Sequence, residues 1–398
     1  MKKNGWLMFF LGGIFFIGAC SAPSVPHNEF LIEGELTNVP DSTILEFRVA
    51  EGDLLKEVGR DTVINGKFSF RDTIGEEIRQ LLLMSDSKGF PSFWQEIWVA
   101  PGKYVRITGN DRLLQTWEVQ SDIPEQAEVR RFFEAMCPEQ IELLKYSVEE
   151  AKIFSALFRE HGGDEAYMEI AFAQVDSLRK LEKPLEDIVE RKKFEVLKSA
   201  PVTRVWLDKY SSEASRLQWD KDCPYLADLR ALYSRMSEAD KQTIEGQTIT
   251  EYMNLGKEVN VGEEMVDGNL YDLDGNLHHL AELRGKYILL DFWSTGCGPC
   301  IQAIPEMEEI AEMYKDKLSV VSINEDSKAS WQKFVREKKM SGIQWNELRR
   351  GRTGLAAQYK VVGIPHYVLI SPEGKITDMW SGYGPGSLKS KLKKALKG

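Results

Sequence analysis

The sequence predicts three folded units in series: a sandwich-like antiparallel β domain at residues 29–121, an α-helical region at residues 122–256, and an α/β domain at residues 257–398. The first range alternates apolar and polar residues with period two, as in TILEFRV and KFSFRDT, which indicates strands with one buried face. The second carries apolar residues at helical spacing within long charged stretches. The third alternates continuous apolar runs with amphipathic stretches, which is typical of strands covered by helices.

Residues 1–19 predict a cleaved leader and not part of a domain. Two lysines precede a 14-residue apolar stretch, WLMFFLGGIFFIGA, which is shorter than the roughly 20 residues of a membrane-spanning helix. The stretch continues into Cys20, and IGAC resembles the lipobox of bacterial lipoproteins. The resemblance implies cleavage before Cys20, lipidation of that cysteine, and a short tether over residues 20–28. A plain secretory signal with an incidental cysteine is the alternative.

The β domain is expected to contain several short strands joined by tight turns. Asn65-Gly66, between DTVI and KFSF, predicts a two-residue hairpin turn. Four aromatic residues near the end of the domain have two interpretations, burial in a sandwich core or an exposed binding face. They are Phe90, Phe93, Trp94 and Trp98.

The helical region is expected to form a bundle of about five helices. Pro184 and Pro201 predict breaks between helices. Cys137 and Cys223 are interpreted either as separate buried thiols or as a disulfide between helices. Neither has a histidine or a second cysteine at metal-ligand spacing, so metal binding is not expected there.

The α/β domain begins with DLDGNLHHLAEL, which predicts a hairpin and a short helix. KYILLDFW then predicts a buried strand, followed by a helix from Cys300 to about Asp316. LSVVSIN and SWQKFVREKK predict a second strand and helix. HYVLI and KITDMW predict an antiparallel pair, and LKSKLKKALK a final amphipathic helix. The predicted order of this core is βαβα followed by ββα.

Composition and charge exclude two classes of protein. The 398 residues carry a net charge of −11 with a pI near 5.2, whereas a nucleic-acid-binding protein needs a basic patch. Apolar residues make up 42% of the chain, which is enough to form cores and argues against wholesale disorder. If the chain is exported, it lies in an oxidising compartment where disulfides form.

The most specific motif is Cys297-Gly298-Pro299-Cys300, placed between a predicted strand and a predicted helix. Asp291-Phe292-Trp293, Pro305 and Gly363-Ile364-Pro365 accompany it at characteristic spacing. On these residues, the last 140 or so positions resemble the thioredoxin superfamily, and specifically the membrane-tethered TlpA/ResA-like thiol-disulfide reductases of the bacterial cell envelope. The resemblance implies a thioredoxin-like fold and a cis Pro365. It also implies substrate contacts by Trp293, Gly298, Pro299, Ile364 and Pro365.

The residue chemistry supports a redox role for this motif. Cys297 lies at the start of a helix, where unpaired N–H groups lower the pKa of a thiol from about 8.5 toward 7 or below. Cys297 is therefore the predicted nucleophile, and Cys300 the residue that resolves the mixed disulfide. Asp291, within an apolar strand, is expected to have a raised pKa and to accept the proton of Cys300; a solvent-facing aspartate is the alternative. No cofactor beyond the cysteine pair and no metal are expected.

Two departures from the family and several alternatives stay open. Gly296 stands where the family usually has tryptophan, and Ala303 where many members have glutamate. A peroxiredoxin-like antioxidant would need a proline where this chain has Leu290 and a Thr or Ser where it has Ser294. Only the second requirement is met. A zinc site would need His278-His279, but adjacent strand residues point to opposite faces. His366 is interpreted either as a residue that tunes the redox site or as a packing residue.

The sequence therefore predicts a thiol-disulfide oxidoreductase, lipid-anchored at Cys20 and facing the periplasm. Gly298-Pro299 resembles the dipeptide of reducing thioredoxins, which favours a reductase of disulfide-containing envelope proteins. A membrane protein that donates thiol electrons is the expected partner, and nucleic acid is not. A redox-inactive or partner-dedicated scaffold lipoprotein is the alternative.

Overall fold

The computed structural model describes residues 23–51, 54–91, 93–162, 164–219, 223–349 and 352–396. The predicted leader and Cys20 lie outside these residues. Within them, none of the helices combines the length and the apolar character that a bilayer crossing requires.

The N-terminal unit consists of two four-stranded sheets packed face to face. Their order is β4-β1-β7-β8 and β3-β2-β5-β6, and side chains of both, such as Phe30 and Phe47, form one buried core. The predicted sandwich is confirmed, with one difference: β1 and β7 pair in parallel. The strands are β1 (Glu29–Leu36), β2 (Ile44–Glu51), β3 (Leu54–Thr62), β4 (Lys67–Thr73), β5 (Arg79–Met84), β6 (Gln95–Val99), β7 (Tyr104–Gly109) and β8 (Glu118–Gln120).

The predicted two-residue turn at Asn65-Gly66 is present and closes one antiparallel bridge, between Ile64 and Lys67, but the strands on either side do not continue the pairing. Both residues have positive φ, 51° and 69°, and the backbones of Ile64 and Lys67 exchange hydrogen bonds of 2.9 and 3.0 Å. The flanking strands β3 and β4 nevertheless belong to different sheets. The reason is core packing. The Phe70 ring of β4 lies directly against Gly59 of β3, so closely that a side chain at residue 59 would have its Cβ 2.2 Å from the ring. The aromatic ring therefore stacks the two strands face to face.

The four aromatic residues divide between the two interpretations. Phe90 is buried in the sandwich core, and Trp94 is 39% exposed. Phe93 is half-buried. Trp98 is buried on the outer side of its sheet, within the core of the helical region.

The middle unit contains seven α-helices among its described residues, against about five expected. Pro201 separates two helices as predicted, but the break at Pro184 is wrong, because that proline lies inside the 35-residue helix α3. Pro184 and Lys180, whose carbonyl loses its partner, are both exposed, so water can satisfy the carbonyl. The helices are α1 (Pro124–Met136), α2 (Glu139–Ser155), α3 (Glu165–Ser199), α4 (Arg204–Ala214), α5 (Leu226–Tyr233), α6 (Glu238–Gln242) and α7 (Ile244–Met253).

The two cysteines of this unit are not bridged to each other. Cys137 is half-buried and Cys223 is buried, and both are free thiols. The interpretation as separate thiols is confirmed.

The C-terminal unit is a seven-stranded sheet of order β10-β9-β13-β12-β11-β14-β15. Strands β11, β12 and β13 run parallel, and β14 and β15 are antiparallel to their neighbours. The strands are β9 (Leu270–Tyr271), β10 (Leu277–His278), β11 (Tyr287–Trp293), β12 (Leu318–Asn324), β13 (Ile343–Asn346), β14 (His366–Ile370) and β15 (Ile376–Ser381). The helices are α8 (Gly298–Met313), α9 (Lys328–Lys338), α10 (Gly354–Gln358) and α11 (Ser387–Ala395).

The predicted elements of this unit are present, with two omissions and a shifted helix. Strand β13 and helix α10 were not predicted, because four or five residues are too few to show a period. Helix α8 begins at Gly298 and ends at Met313, not at Cys300 and Asp316. Apolar side chains of α8 and α11 cover one face of β11 around Leu289.

Candidate active site

The cysteine pair lies at the junction of β11 and α8. Cys297 and Cys300 form a disulfide with an S–S distance of 2.02 Å. Cys297 is half-buried, whereas Cys300 is only 4% exposed. A substrate can therefore reach the first sulfur more easily than the second.

The first cysteine also caps the helix that follows it. Cys297 is the N-cap residue of α8, and its Sγ accepts a hydrogen bond of 3.2 Å from the Cys300 N–H. Pro299, in the first turn, lacks an N–H at a position where the helix would leave it unpaired. The positive end of the helix thus points at the Cys297 sulfur and favours its thiolate form.

An apolar cluster surrounds the disulfide. Trp293, Trp331 and Val335 are buried against Cys300, and Ile364 packs on the same cluster. Trp293 is only 1% exposed. The structure therefore corrects its predicted role in substrate contact: the ring supports the disulfide from inside the core.

The other predicted contact residues differ in their exposure to solvent. Gly298 and Pro299 are exposed, Ile364 is half-buried, and Pro365 is buried. The Ile364–Pro365 peptide bond is cis, as the family resemblance implied. Ile364 is brought against the disulfide cluster from the loop before β14.

Asp291 lies in the middle of β11 and is only 8% exposed, so the alternative of a solvent-facing aspartate is wrong. Its Oδ2 accepts one long hydrogen bond of 3.4 Å from the Ser322 hydroxyl. Its Oδ1 is buried with no hydrogen-bond partner among the described residues. Burial raises the pKa of Asp291 to about 7, in the direction that the sequence predicts.

The face of β11 that carries Asp291 also carries Leu289 and Trp293, because alternate strand residues share a face. Leu289 packs on α8 residues, and Trp293 packs on Cys300 at the start of the same helix. Asp291 therefore lies beneath α8, beside a cavity of about 30 Å³ that Ser322 also lines. A cavity of that size can hold a water molecule.

The sequence did not single out the buried polar network that holds the loop before Cys297. Asp326 Oδ2 accepts hydrogen bonds from the Thr295 N–H at 2.7 Å and from the Asn324 side chain at 2.9 Å. The Asn346 side chain donates to the Asp326 carbonyl at 2.9 Å. The available signal was the polar run Asn324-Glu325-Asp326 at the carboxyl end of β12, where functional residues of parallel sheets are often found.

His366 has the surroundings of a packing residue. It is buried, and its Nδ1 lies 2.8 Å from the Ser381 hydroxyl. Burial lowers the pKa of His366 to about 4. These facts favour the packing interpretation.

The histidine pair that was weighed as a zinc site lies apart from such a cluster. His278 lies between Asp272 and Glu282, and no group of three potential metal ligands occurs within the described ranges.

The two positions that depart from the family differ in exposure. Ala303 is buried in the cluster around Leu289, and Gly296 is exposed.

Comparisons with known proteins identify this unit. The model of the AhpC/TSA family matches residues 261–379. The thioredoxin-like protein YneN of Bacillus subtilis (strain 168) is 34% identical over 128 residues, which are 32% of this chain and 75% of the relative. The thiol-disulfide oxidoreductase ResA of Geobacillus kaustophilus (strain HTA426) is 30% identical over 140 residues, 34% of this chain and 79% of the relative.

Among solved structures, the thioredoxin domain of a thiol-disulfide oxidoreductase from Bacteroides vulgatus is 28% identical. It covers 35% of this chain and 100% of that domain, with a TM-score of 0.32. The names of the curated relatives do not favour the peroxiredoxin-like alternative. Through its C-terminal α/β unit, the chain belongs to the thioredoxin-like family of thiol-disulfide oxidoreductases.

Proposed function

We propose that this protein reduces disulfides of other proteins in the bacterial cell envelope. The observation that carries the proposal is the difference in exposure between the two cysteines. Cys297 is half-buried and caps helix α8, whereas Cys300 is buried in the first turn of that helix. An accessible, easily ionised sulfur is suited to attack, and a shielded neighbour is suited to resolve the product.

In the first step, the Cys297 thiolate of the reduced protein attacks one sulfur of a substrate disulfide. The substrate S–S bond breaks, a bond forms between Cys297 Sγ and that sulfur, and the other substrate sulfur leaves as a thiolate that takes a proton.

In the second step, the Cys300 thiol loses its proton and attacks Cys297 Sγ. The mixed disulfide breaks, the second substrate thiol leaves, and the Cys297–Cys300 disulfide forms. Two electrons have passed from the cysteine pair to the substrate.

Asp291 is the proposed acceptor of the Cys300 proton. It lies beneath the same helix, and no strong hydrogen bond to a described residue fixes its charge state. A carboxyl with a pKa near 7 can take and release a proton at physiological pH. No further cofactor is needed, because the two thiols hold the electrons.

Gly298, Pro299 and Ile364 are the proposed contacts for the substrate backbone. The first two are exposed next to Cys297, and Ile364, which precedes the cis Pro365, packs on the cluster around the disulfide. Val362, two residues before Ile364, is 65% exposed. A substrate chain lying along this loop would place its sulfur near Cys297.

Lipid anchoring at Cys20, facing the periplasm, is part of the proposal and rests on the IGAC sequence. Each turnover ends with an oxidised pair in an oxidising compartment, so the protein needs a source of electrons. A membrane protein that presents a dithiol is the proposed donor.

The test is a disulfide-reduction assay with a disulfide-bonded protein as substrate. Wild type and Cys137→Ser are expected to be active, and Cys297→Ser is expected to be inactive. A Cys297→Ser variant as active as wild type would overturn the mechanism, and an inactive wild type would favour the scaffold alternative.

The direction of transfer is tested separately by measuring the reduction potential. A reductase predicts a value near about −270 mV, and a value near about −120 mV would identify an oxidant. In cells, Cys300→Ala should accumulate mixed disulfides, because the captured substrate cannot be released. Identifying the attached proteins would name the substrates.

A further inference from the structure

Three polar side chains lie side by side across the middle of the redox sheet. Asp291 of β11 is in register with Ser322 of β12, and Ser322 is in register with Gln344 of β13. Residues in register on neighbouring strands point to the same face of a sheet. All three are buried. They therefore form one polar row beneath α8, and all of them line the cavity of about 30 Å³ beside Asp291.

Gln344 has an amide oxygen that no described residue satisfies. Its Nε2 donates a hydrogen bond of 3.2 Å to the Ser341 carbonyl, whereas its Oε1 is buried and has no hydrogen-bond partner within the described ranges. Asp291 Oδ1 is in the same situation. A buried acceptor without a donor costs free energy. Two such atoms, at the two ends of one row and beside one cavity, point to a partner that they share.

The chemistry of these two atoms identifies the shared partner as water. Both atoms are hydrogen-bond acceptors, and a water molecule has two O–H donors, one for each of them. The cavity of about 30 Å³ is larger than the roughly 10–15 Å³ that one water needs. A metal ion such as Ca²⁺ or Mg²⁺ would need about six oxygen ligands, whereas much of the remaining lining is apolar, including Ile304, Met307 and Val320.

The cavity reaches the surface between α8 and the loop before β13. Its wall includes Ser341 and Gly342, which are exposed, and Glu308 of α8, which is half-buried. Glu308 Oε1 accepts hydrogen bonds from the N–H and the hydroxyl of Ser341 at 3.0 and 2.9 Å. A carboxylate at this mouth attracts positive charge. The mouth is therefore suited to the passage of protons between the cavity and solvent.

We propose that a water molecule held between Asp291 and Gln344 carries the Asp291 proton to solvent. The inference rests on the proposed function, in which Asp291 accepts the proton of Cys300. Once the disulfide has formed, Cys300 cannot take that proton back, so a proton released by Asp291 needs another route. Asp291 Oδ1 gives its proton to the water, the water releases a proton at the mouth, and the carboxylate forms again. Gln344 exchanges no proton; it is a positioning residue that holds the water.

The test follows the exchange of the Asp291 proton for deuterium in the oxidised protein. The protein is mixed from H2O into D2O at a pD about two units below the Asp291 pKa of about 7, and the band of the protonated carboxyl is followed by infrared absorption. Its absence in Asp291→Asn assigns the band. Gln344→Met removes the amide oxygen at similar side-chain length and should slow the exchange about tenfold, the equivalent of one ordinary hydrogen bond.

The matched control is Gln332→Met. Gln332 of α9 is half-buried, donates one side-chain hydrogen bond of 2.6 Å to the Leu273 carbonyl, and lies outside the cavity lining. This variant should exchange as wild type does. If Gln344→Met does not fold, Ala311→Leu fills the cavity from α8 and should slow the exchange in the same way. Exchange at the wild-type rate in either cavity variant, or equal slowing in the control, would overturn the proposal.

The pH dependence of disulfide reduction tests whether Gln344 acts through Asp291. Gln344→Met should move the midpoint of the pH–rate profile upward by about one unit, because the carboxylate loses the water as a donor. Added to Asp291→Asn, it should change nothing further. A lower rate with an unmoved midpoint would show a merely structural role.

The exchange measurement is independent of turnover. Cys297→Ser should exchange the Asp291 proton at the wild-type rate while losing disulfide reduction. An inactive wild-type protein whose exchange depends on Gln344 would refute only the enzyme function. An active protein whose exchange does not depend on Gln344 would refute only the proton route.

Discussion

Asp291 and Glu306 are two buried carboxyl groups of the redox unit, and their surroundings are opposite. They are 8% and 7% exposed. Glu306, on α8, accepts hydrogen bonds from the Tyr383 hydroxyl at 3.0 Å and from the N–H groups of Gly386 and Lys389 at 2.8 and 2.9 Å. Asp291 accepts one hydrogen bond of 3.4 Å.

The difference decides what each group can do. Burial by itself would raise both pKa values. The N–H donors at the start of α11 outweigh burial and hold the pKa of Glu306 below its usual range. Asp291 lacks such donors, and its pKa rises to about 7. Burial thus makes a carboxyl a proton carrier only where the fold withholds hydrogen-bond donors.

The largest expected effect is on the pH dependence of stability. Asp291 binds its proton more tightly in the folded state, so its contribution to stability falls as pH rises from about 4, where the unfolded carboxyl ionises, to about 7. The full change is on the order of 4 kcal/mol. Asp291→Asn should remove it, so the variant gains stability relative to wild type between pH 4.5 and 8. Urea unfolding of both oxidised proteins measures this gain.

Urea unfolding of Glu306→Gln over the same pH range is the control, because its effect on stability should depend on pH in the opposite direction. A carboxyl with a lowered pKa contributes stability above its unfolded pKa and loses it as pH falls. The difference between Glu306→Gln and wild type should therefore shrink toward acid pH. Parallel pH profiles for the two variants would show that the carboxyl environments are not opposite.

The second effect is on catalysis. Asp291→Asn should lower the rate of protein-disulfide reduction by about 100-fold, because general bases contribute factors of roughly 10² or more. The wild-type rate should rise through pH 7 as Asp291 ionises, and the variant should lose this rise. Glu306→Gln, assayed below its unfolding temperature, should keep it. A rise that persists in Asp291→Asn would assign the titration to another group.

The third effect is on stability at neutral pH. Glu306→Gln should cost about 2 kcal/mol, since hydrogen bonds to a charged acceptor are typically worth about that much. The loss should appear as earlier exposure of α11, measured by hydrogen exchange over residues 386–396. Wild-type protection there would mean that Glu306 does not hold the start of this helix.

The smallest effect concerns Ser322. Its hydroxyl donates the one hydrogen bond that Asp291 accepts, so Ser322→Ala should raise the pKa of Asp291 slightly further. The pH–rate profile should move toward higher pH by a fraction of a unit. A shift toward lower pH would show that the serine does not stabilise the carboxylate.

Local patterns predicted the redox site well. The apolar strand β11, the cysteine pair and Pro299 all lie within residues 287–300, so neighbouring positions carry the whole signal for a strand, a helix start and a reactive sulfur. The buried state of Asp291 followed from its apolar neighbours in the same strand. Trp293 shows the limit, because the motif alone did not reveal that its ring points into the core.

Contacts between residues far apart in the sequence were harder to predict. The Asn65-Gly66 turn was evident from two residues, yet its strands enter different sheets, because the Phe70 ring packs on Gly59. The bracing of Thr295 by Asp326 joins residues 31 positions apart, and nothing near either residue marks the other as its partner.

By itself, the sequence determined the kinds of element and the chemistry of the Cys297–Cys300 motif, because period, turn residues and helix position are properties of adjacent residues. Only the tertiary structure decided which buried carboxyl keeps its charge. Asp291 and Glu306 are both acids among apolar residues, and their pKa values diverge because the backbone of α11, about 80 residues beyond Glu306, folds back to donate to one and not to the other.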